Sequence, residues 1–391
     1  MDVERIREDF PLTSKYVYLN TGFYGPMPVP VVEAMEEYLE ECSLKGPATY
    51  DLLCDVLREK ERVRGRIARL IGASPTEIAF TRCTMEAMNL VIKSIKWEKG
   101  DKVIINDKEY PSNMRIWKHL EKKYGIEVII VKSRSDGVVD PADVEKAIDE
   151  KTKLISMCHA SYIDGSIIPA EEIGKIAEEY NILYLLDGAQ AVGYFPVDVK
   201  RIRCDFYAFC GHKALCGPQG VGLLYFNEKR ADLLEPLVIG EPIVLGMETG
   251  NVIEDDEYLP PYSFETTTLN YIGIIGLGAA LDYIEKEVGG VAEIRRYNMS
   301  LMEYAMESLG KIPGVKIEGP TDLERRNGFI TFSSNIPAVL VVTALYSLRR
   351  VVVRPVKNMV RACLHFFNTE EDIDILCDAL TQIQRLIKLH F

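Results

Sequence analysis

Between residues 77 and 226 the chain alternates short apolar runs with amphipathic stretches, and this rhythm limits the folds open to it. Glu77–Thr81, Lys102–Ile105, Glu127–Val131, Lys153–Met157 and Ile182–Leu186 read as strands. Met85–Ile95, Ser112–Tyr124, Pro141–Asp149 and Pro169–Tyr180 read as the helices between them, the third with proline in its first turn. Strands alternating with helices predict βαβ units and a largely parallel sheet covered on both faces, hence an α/β class. Two helical patterns, Pro30–Leu44 and Tyr50–Ile71, come before this region.

After Phe226 the pattern changes. Glu241–Thr267 is irregular and acidic, and Leu269–Val288 and Val291–Ile312 read as long helices. Strands near Val315, Phe329 and Met359, with helices Pro337–Leu348 and Glu370–Leu389, make a smaller α+β pattern. A chain of 391 residues is too long for one ordinary core. The expected division is a large domain over residues 16–262 and a small domain made of 1–15 and 263–391, which includes the long connecting helix.

Charge and cysteine usage narrow the function classes. Lys and Arg number 46 against 59 Asp and Glu, a net −13, so the basic surface of a nucleic-acid binder is not expected. The longest uncharged helical stretch, Thr266–Leu281, is glycine-rich and too short for a membrane span. The opening residues Met1–Phe10 are acidic and amphipathic, without a signal-peptide core. Nine cysteines, an odd number with no CxxC pair, point to reduced thiols and a cytoplasmic setting.

Candidate chemistry gathers at strand ends, where doubly wound sheets bind ligands. The run Asp205–Cys210 is an apolar strand that delivers Gly211, His212 and Lys213, and Val221–Phe226 is a second strand. Burying an ammonium between strands is costly unless it is paired or neutralised. Covalent use of the amine as a Schiff base removes that cost; a surface loop whose lysine faces water is the competing reading. Asp187 ends the apolar run Ile182–Leu186, where a carboxylate needs a cation or donors, or caps the next helix. Thr84 is an apt N-cap for Met85–Ile95, whose first N–H groups can hold an anion.

Rival motifs fare worse. No GxxxxGK[ST] is present, and Gly217, Gly220 and Gly222 lie between strands instead of opening a helix. Cys204, Cys210, His212 and Cys216 lie close in sequence, but their spacing matches no structural zinc pattern, and the first two sit at opposite ends of one strand. An anion site at a helix start, a carboxylate ending a buried strand and a lysine between strands are together the anchors that pyridoxal 5'-phosphate (PLP) needs for its phosphate, pyridine nitrogen and aldehyde.

From Tyr18 to Glu371 the chain resembles the class V branch of fold-type I PLP enzymes: cysteine desulfurases, selenocysteine lyases, cysteine/cystine lyases and isopenicillin N epimerase-like proteins. The carrying motifs are Leu186–Ala191, Gly211-His212-Lys213 with Gly217–Gly222, Thr84–Asn89, Phe264–Asn270 and Val360–Cys363 running to Phe367–Thr369. The resemblance implies a large domain with a mainly parallel sheet flanked by helices, plus a smaller α+β C-terminal domain. It implies that Lys213 carries the cofactor and moves protons at Cα. Asp187 then pairs with the pyridinium nitrogen and Gln190 reaches the phenolic oxygen. Tyr110 stands over the ring. Thr84, the Met85 backbone, Cys210 and His212 hold the phosphate, and Thr268 reaches the phosphate of the neighbouring subunit in a homodimer. Arg361 clamps the substrate carboxylate, a task suited to its two-pronged donor geometry.

Several positions depart from the pattern. Cys210 stands where serine is usual, Tyr110 replaces a histidine, Tyr162 an asparagine and Thr267 a glycine. Arg349–Val360 is short and holds no cysteine, whereas persulfide-forming desulfurases need a mobile one there; Cys363 lies in an apolar strand and is expected to be packed. The expected activity is that of a PLP enzyme acting on a small α-amino acid through an imine and a Cα carbanion. An aminotransferase or a cysteine/selenocysteine-type C–S(e) lyase comes first, with an epimerase as the alternative. A metal-binding protein using Cys204, Cys210, His212 and Cys216, or a non-catalytic scaffold, are the readings from other classes.

Overall fold

The computed structural model describes residues 1–135, 137–233, 264–265 and 268–390, leaving aside the side chains of 231, 232 and 387–390. Most of the stretch 241–267, including Thr267, and the expected domain division at 262 lie outside the described residues.

The first strand, β1 (Val17–Tyr18), is followed by helices Val29–Lys45 and Tyr50–Ile71. Seven strands then build the large sheet: β2 (Ile78–Thr81), β3 (Lys102–Asn106), β4 (Glu127–Val131), β5 (Thr152–Cys158), β6 (Leu183–Asp187), β7 (Phe206–Cys210) and β8 (Gly222–Phe226). Their spatial order is β2-β8-β7-β6-β5-β3-β4. β8 runs antiparallel to both β7 and β2, and the other strands share one direction.

The central strands are mainly apolar in their middles because both faces are covered, with polar residues such as Lys102, Lys153 and Asp187 at or near their ends. In β3, Ile104 packs into one core cluster while Val103 and Ile105 pack into another. In β7, Tyr207 and Phe209 face the first cluster, and Phe206 and Ala208 the second. This is the period-two alternation of a strand, with helices on each side. The common direction brings Thr81, Cys158, Asp187 and Cys210 to one edge of the sheet.

The C-terminal part forms a second, antiparallel sheet from β9 (Lys316–Glu318), β10 (Phe329–Ser333), β12 (Arg354–Val356) and β13 (Met359–Cys363), in the order β12-β13-β10-β9. The short β11 (Val351–Val352) pairs in parallel with β1, which ties the N-terminal segment to this region. Helices Val291–Gly310, Ala338–Arg349 and Glu370–His390 contribute Leu309, Leu345 and Leu376 to a third core, which also takes Val17 and Leu19. The expected helix Leu269–Val288 is a helix from Tyr271 to Tyr283 that continues as a π-turn, Ile284–Val288.

A buried ion pair fastens helix Tyr50–Ile71 to the edge of the large sheet. Arg64 Nη1 and Nη2 donate to the two carboxylate oxygens of Glu265 at 2.6 and 3.0 Å, and Phe80 N donates to Glu265 Oε1 at 2.8 Å.

Candidate functional site

Lys213 follows the C-terminal end of β7 by three residues, on a turn held by a bond from Cys216 N to Lys213 O at 2.9 Å. The loop Gly22–Gly25 packs on this turn, with Gly25 N donating to His212 O at 2.8 Å. A Cβ at Gly25 would fall 2.0 Å from the Lys213 carbonyl oxygen, so only glycine fits there. His365 Nε2, on the far side, lies 2.7 Å from Ala214 O. The lysine is thus half-buried in the wall of a cavity of about 370 Å³, and not on an open surface loop.

The same cavity is lined by Thr84, Met85, Tyr110, Asp187, Gln190, Cys210, His212 and Arg361, so the tertiary structure brings together every expected site residue except Thr268. Thr268 lines a different depression, with Arg82, Glu86 and Asn270.

One local expectation fails. Thr84 is not the N-cap: the helix runs Thr84–Ser94, and the cap is Cys83, whose side chain makes no capping bond. The first intrahelical bond runs from Glu86 N to Cys83 O at 3.1 Å, so the Thr84 and Met85 N–H groups precede it and stay free for an anion. Burial raises the pKa of the Cys210 thiol, against the lowering effect of the Lys213 charge and of the Thr84 hydroxyl. β8 passes beneath this helix start because Gly222 lacks a side chain; a Cβ there would lie 2.4 Å from the Cys83 carbonyl carbon.

Asp187 is 5 % exposed at the end of β6. Its Oδ1 accepts from Ala189 N at 3.0 Å and its Oδ2 from Asn113 Nδ2 at 3.0 Å. Asn113 also donates to Glu109 Oε2 at 3.0 Å, and Glu109 Oε1 accepts from Cys158 N at 2.7 Å. Burial pushes the Glu109 carboxyl up to about 7. The Cys158 thiol, 3.3 Å from Glu109, is raised well above its usual value by burial and by the carboxylates of Glu109 and Asp187. Sequence reasoning missed the roles of Glu109 and Asn113. Their spacing of four at the start of helix Pro111–Tyr124 is the local signal that could have marked them.

Gln190 Nε2 donates to Gly22 O at 2.8 Å. Tyr110 is half exposed and stands edge-on to Tyr162, ring centroids 5.3 Å apart. The His212 ring lies 5.4 Å from that of Tyr24, and burial together with Lys213 lowers its pKa to about 4, so it is neutral near pH 7. Arg361, 2 % exposed, donates through Nη1 to Tyr162 O and sits 4.8 Å from the Phe329 ring centroid. Cys363 is fully buried.

These residues fit PLP. His212 Nδ1, Gln190 Oε1 and Arg361 Nε are buried without a hydrogen-bond partner, a cost that a polar ligand removes. A free helix start suits a phosphate, a buried carboxylate suits a pyridinium, and the lysine suits an aldehyde. Among the described residues no group of three or more His, Cys, Asp or Glu side chains could hold a metal. Cys204, Cys210 and Cys216 are buried thiols whose pKa values burial raises.

Comparison with known proteins gives the family. The family model for aminotransferase class-V matches residues 17–376. A probable cysteine desulfurase of Methanothermobacter thermautotrophicus is 36 % identical over 402 residues, covering 98 % of each chain. The apo structure of a cysteine desulfurase from Thermococcus onnurineus superposes with a TM-score of 0.87 at 31 % identity, covering 97 % of both chains. A C-DES mutant with glycine covalently linked to its PLP cofactor gives 0.88 at 25 % identity, covering 96 % of this chain and 98 % of that one. The chain belongs to the class-V aminotransferase family and is a PLP-dependent enzyme.

Proposed function

We propose that this enzyme is a C–S lyase acting on a cysteine-type α-amino acid, and that it releases sulfur without forming a persulfide on itself. PLP supplies the electron sink for the pair left at the substrate Cα after proton removal. With PLP bound, Asp187 would serve the ring nitrogen, Gln190 the phenolic oxygen and Tyr110 the ring. The Thr84 hydroxyl, Met85 N–H, Cys210 and neutral His212 receive the phosphate. Lys213 would hold the aldehyde, and its amine would move the proton at Cα. Arg361, already oriented by Tyr162 and Phe329, takes the substrate carboxylate.

The observation that carries this reading is the hairpin before Arg361. β12 and β13 are joined by the two residues Lys357 and Asn358, with Val356 paired to Met359. A turn this short leaves no mobile loop, and its residues include no thiol. Three thiols line the cavity: burial raises the pKa of Cys158 and Cys210, which makes them poor nucleophiles, and the partly buried Cys83 sits at the N-cap of helix Thr84–Ser94, outside the hairpin before Arg361. Sulfur then leaves by β-elimination, and the 2-aminoacrylate released hydrolyses to pyruvate and ammonia. Relatives named as cysteine desulfurases favour C–S cleavage over transamination or epimerisation. The test is holoenzyme with L-cysteine. Sulfide and pyruvate in equal amounts, independent of added thiol, are expected. Alanine formed with a burst that alkylation abolishes would overturn the reading.

The working unit we propose is a homodimer in the cytoplasm, with Thr268 reaching the partner's phosphate and the large domain ending near residue 262. Support comes from the placement of Thr268 outside the Lys213 cavity and from nine free cysteines. No described helix is long and apolar enough to cross a membrane. Sedimentation should give a dimer, and Thr268→Ala should weaken PLP binding; a monomer of full activity would refute the shared site.

A further inference from the structure

Asp187 and Cys158 line the Lys213 cavity, whereas Glu109 and Asn113 line no part of it and reach it only through these two. Asn113 is fully buried in helix Pro111–Tyr124, and Glu109 is 5 % exposed, two residues before that helix. A side-chain amide nitrogen carries two hydrogens. Those of Asn113 Nδ2 go to Glu109 Oε2 and to Asp187 Oδ2, 3.0 Å each. The other Glu109 oxygen accepts from Cys158 N at 2.7 Å, at the end of β5. Two side chains thus tie the start of one helix to the ends of β5 and β6. Tyr110, which lies between Glu109 and the helix, lines the cavity.

Among the described residues no lysine or arginine pairs with Glu109 or Asp187, although both are buried. Burying a carboxyl group without a cation is costly, and apolar side chains would join a helix to two strands without that cost. What apolar packing cannot supply is an N–H aimed at Asp187 Oδ2. With it, every polar atom of Asp187 beyond its own N–H is engaged: Oδ1 by Ala189 N at 3.0 Å, Oδ2 by Asn113, and the main-chain oxygen by His159 N at 2.9 Å. N–H donors favour the charged form of a carboxylate, so a proton shared between this group and a basic ligand nitrogen rests on the nitrogen. The other titratable neighbours of Asp187 are Cys158 on β5 and Tyr207 and Cys210 on β7; burial raises the pKa of all three, so none carries charge near pH 7.

We propose that Asn113 is a positioning residue for the ring nitrogen of PLP, and that Glu109 is the anchor that aims its amide. This rests on the PLP reading of the cavity and adds to it the residues that keep the ring proton on nitrogen. Asn113 touches neither cofactor nor substrate and acts through Asp187. Glu109 needs both of its oxygens, one for each donor. A glutamine at 109 offers one oxygen to two donors, so one of the two bonds is lost whichever way its amide lies.

The test loads wild type, Asn113→Ala and Glu109→Gln with PLP carrying nitrogen-15 in its ring and follows that nucleus by NMR across pH. The wild-type ring nitrogen is expected to stay protonated. In Asn113→Ala its resonance should move toward that of unprotonated pyridine, and the PLP dissociation constant should rise about tenfold or more, the effect of one hydrogen bond to a charged group. Glu109→Gln should move both in the same direction by less. Ring resonances identical to wild type in both variants, with only thermal unfolding lowered, overturn the proposal and leave the two residues a purely structural link. A shift confined to Asn113→Ala removes Glu109 from it. If Asn113→Ala does not fold, Glu109→Gln decides by the same resonance, and an unchanged one overturns the proposal. A wild-type protein that takes up no labelled PLP defeats the PLP reading itself.

Discussion

Glu109 and Asp187 share one amide: Asn113 Nδ2 donates at 3.0 Å to an oxygen of each carboxyl group. Both groups are buried, and two adjacent carboxylates cannot both ionise cheaply. Burial, the largest cause, and the nearby Asp187 charge keep the proton on Glu109 up to about pH 7.

A folded-state pKa of about 7 against 4.5 unfolded means the native protein binds the Glu109 proton more tightly. The resulting stability is fully present below pH 4.5 and is lost as pH rises through 7, to the extent of roughly 3 kcal/mol. Glu109→Gln removes this dependence. Urea midpoints at saturating PLP should converge with wild type at acid pH and favour the variant above pH 7. Parallel profiles would show that Glu109 does not titrate there.

Gly25→Ala sets a methyl group 2.0 Å from the Lys213 carbonyl, an atom fixed by the turn to Cys216. The turn must shift, and Lys213 with it. Affinity for PLP should fall by about tenfold or more, with the far-UV circular dichroism unchanged. Unaltered cofactor binding would mean that the loop yields instead.

Glu265→Ala leaves the Arg64 guanidinium buried without its main partner. Breaking a buried pair from one side costs about 3–5 kcal/mol. Neither Arg64 nor Glu265 lines the Lys213 cavity, so thermal unfolding should drop sharply while the cofactor band of the folded fraction stays the same.

Lys213→Ala should yield a protein without the yellow colour that covalent PLP gives. In wild type, borohydride should abolish the band and leave the peptide containing Lys213 permanently modified. A mark on a different lysine would reassign the anchor. Arg361→Ala should keep the colour and raise KM for amino acids by about a hundredfold, in line with loss of a bidentate carboxylate contact.

Much of this was legible in the chain itself. The strands of the large sheet stand out because burial on both faces demands continuous apolar runs, as in Leu183–Leu186 and Phe206–Phe209. Lys213 and Asp187 stand out because each puts a charge at the end of such a run, a local anomaly. Helix limits were harder. Thr84 looks like a cap by composition, yet Cys83 takes the extended backbone, φ −168°, because β8 passes beneath it at Gly222.

What the tertiary structure alone decided are relations between distant residues. The Asn113 bridge spans 74 residues to Asp187, and the guanidinium of Arg361 is steered by the carbonyl of Tyr162, 199 residues away. The opposition of Arg354 and Arg361 depends on a ladder register set by a two-residue turn, and a slip of one residue would send one of them to the other face. Local pattern specifies which segments become strands and helices, because period and burial are properties of neighbouring residues. Which side chains then meet in the cavity is set by packing between segments, and that information is carried by no single stretch of the chain.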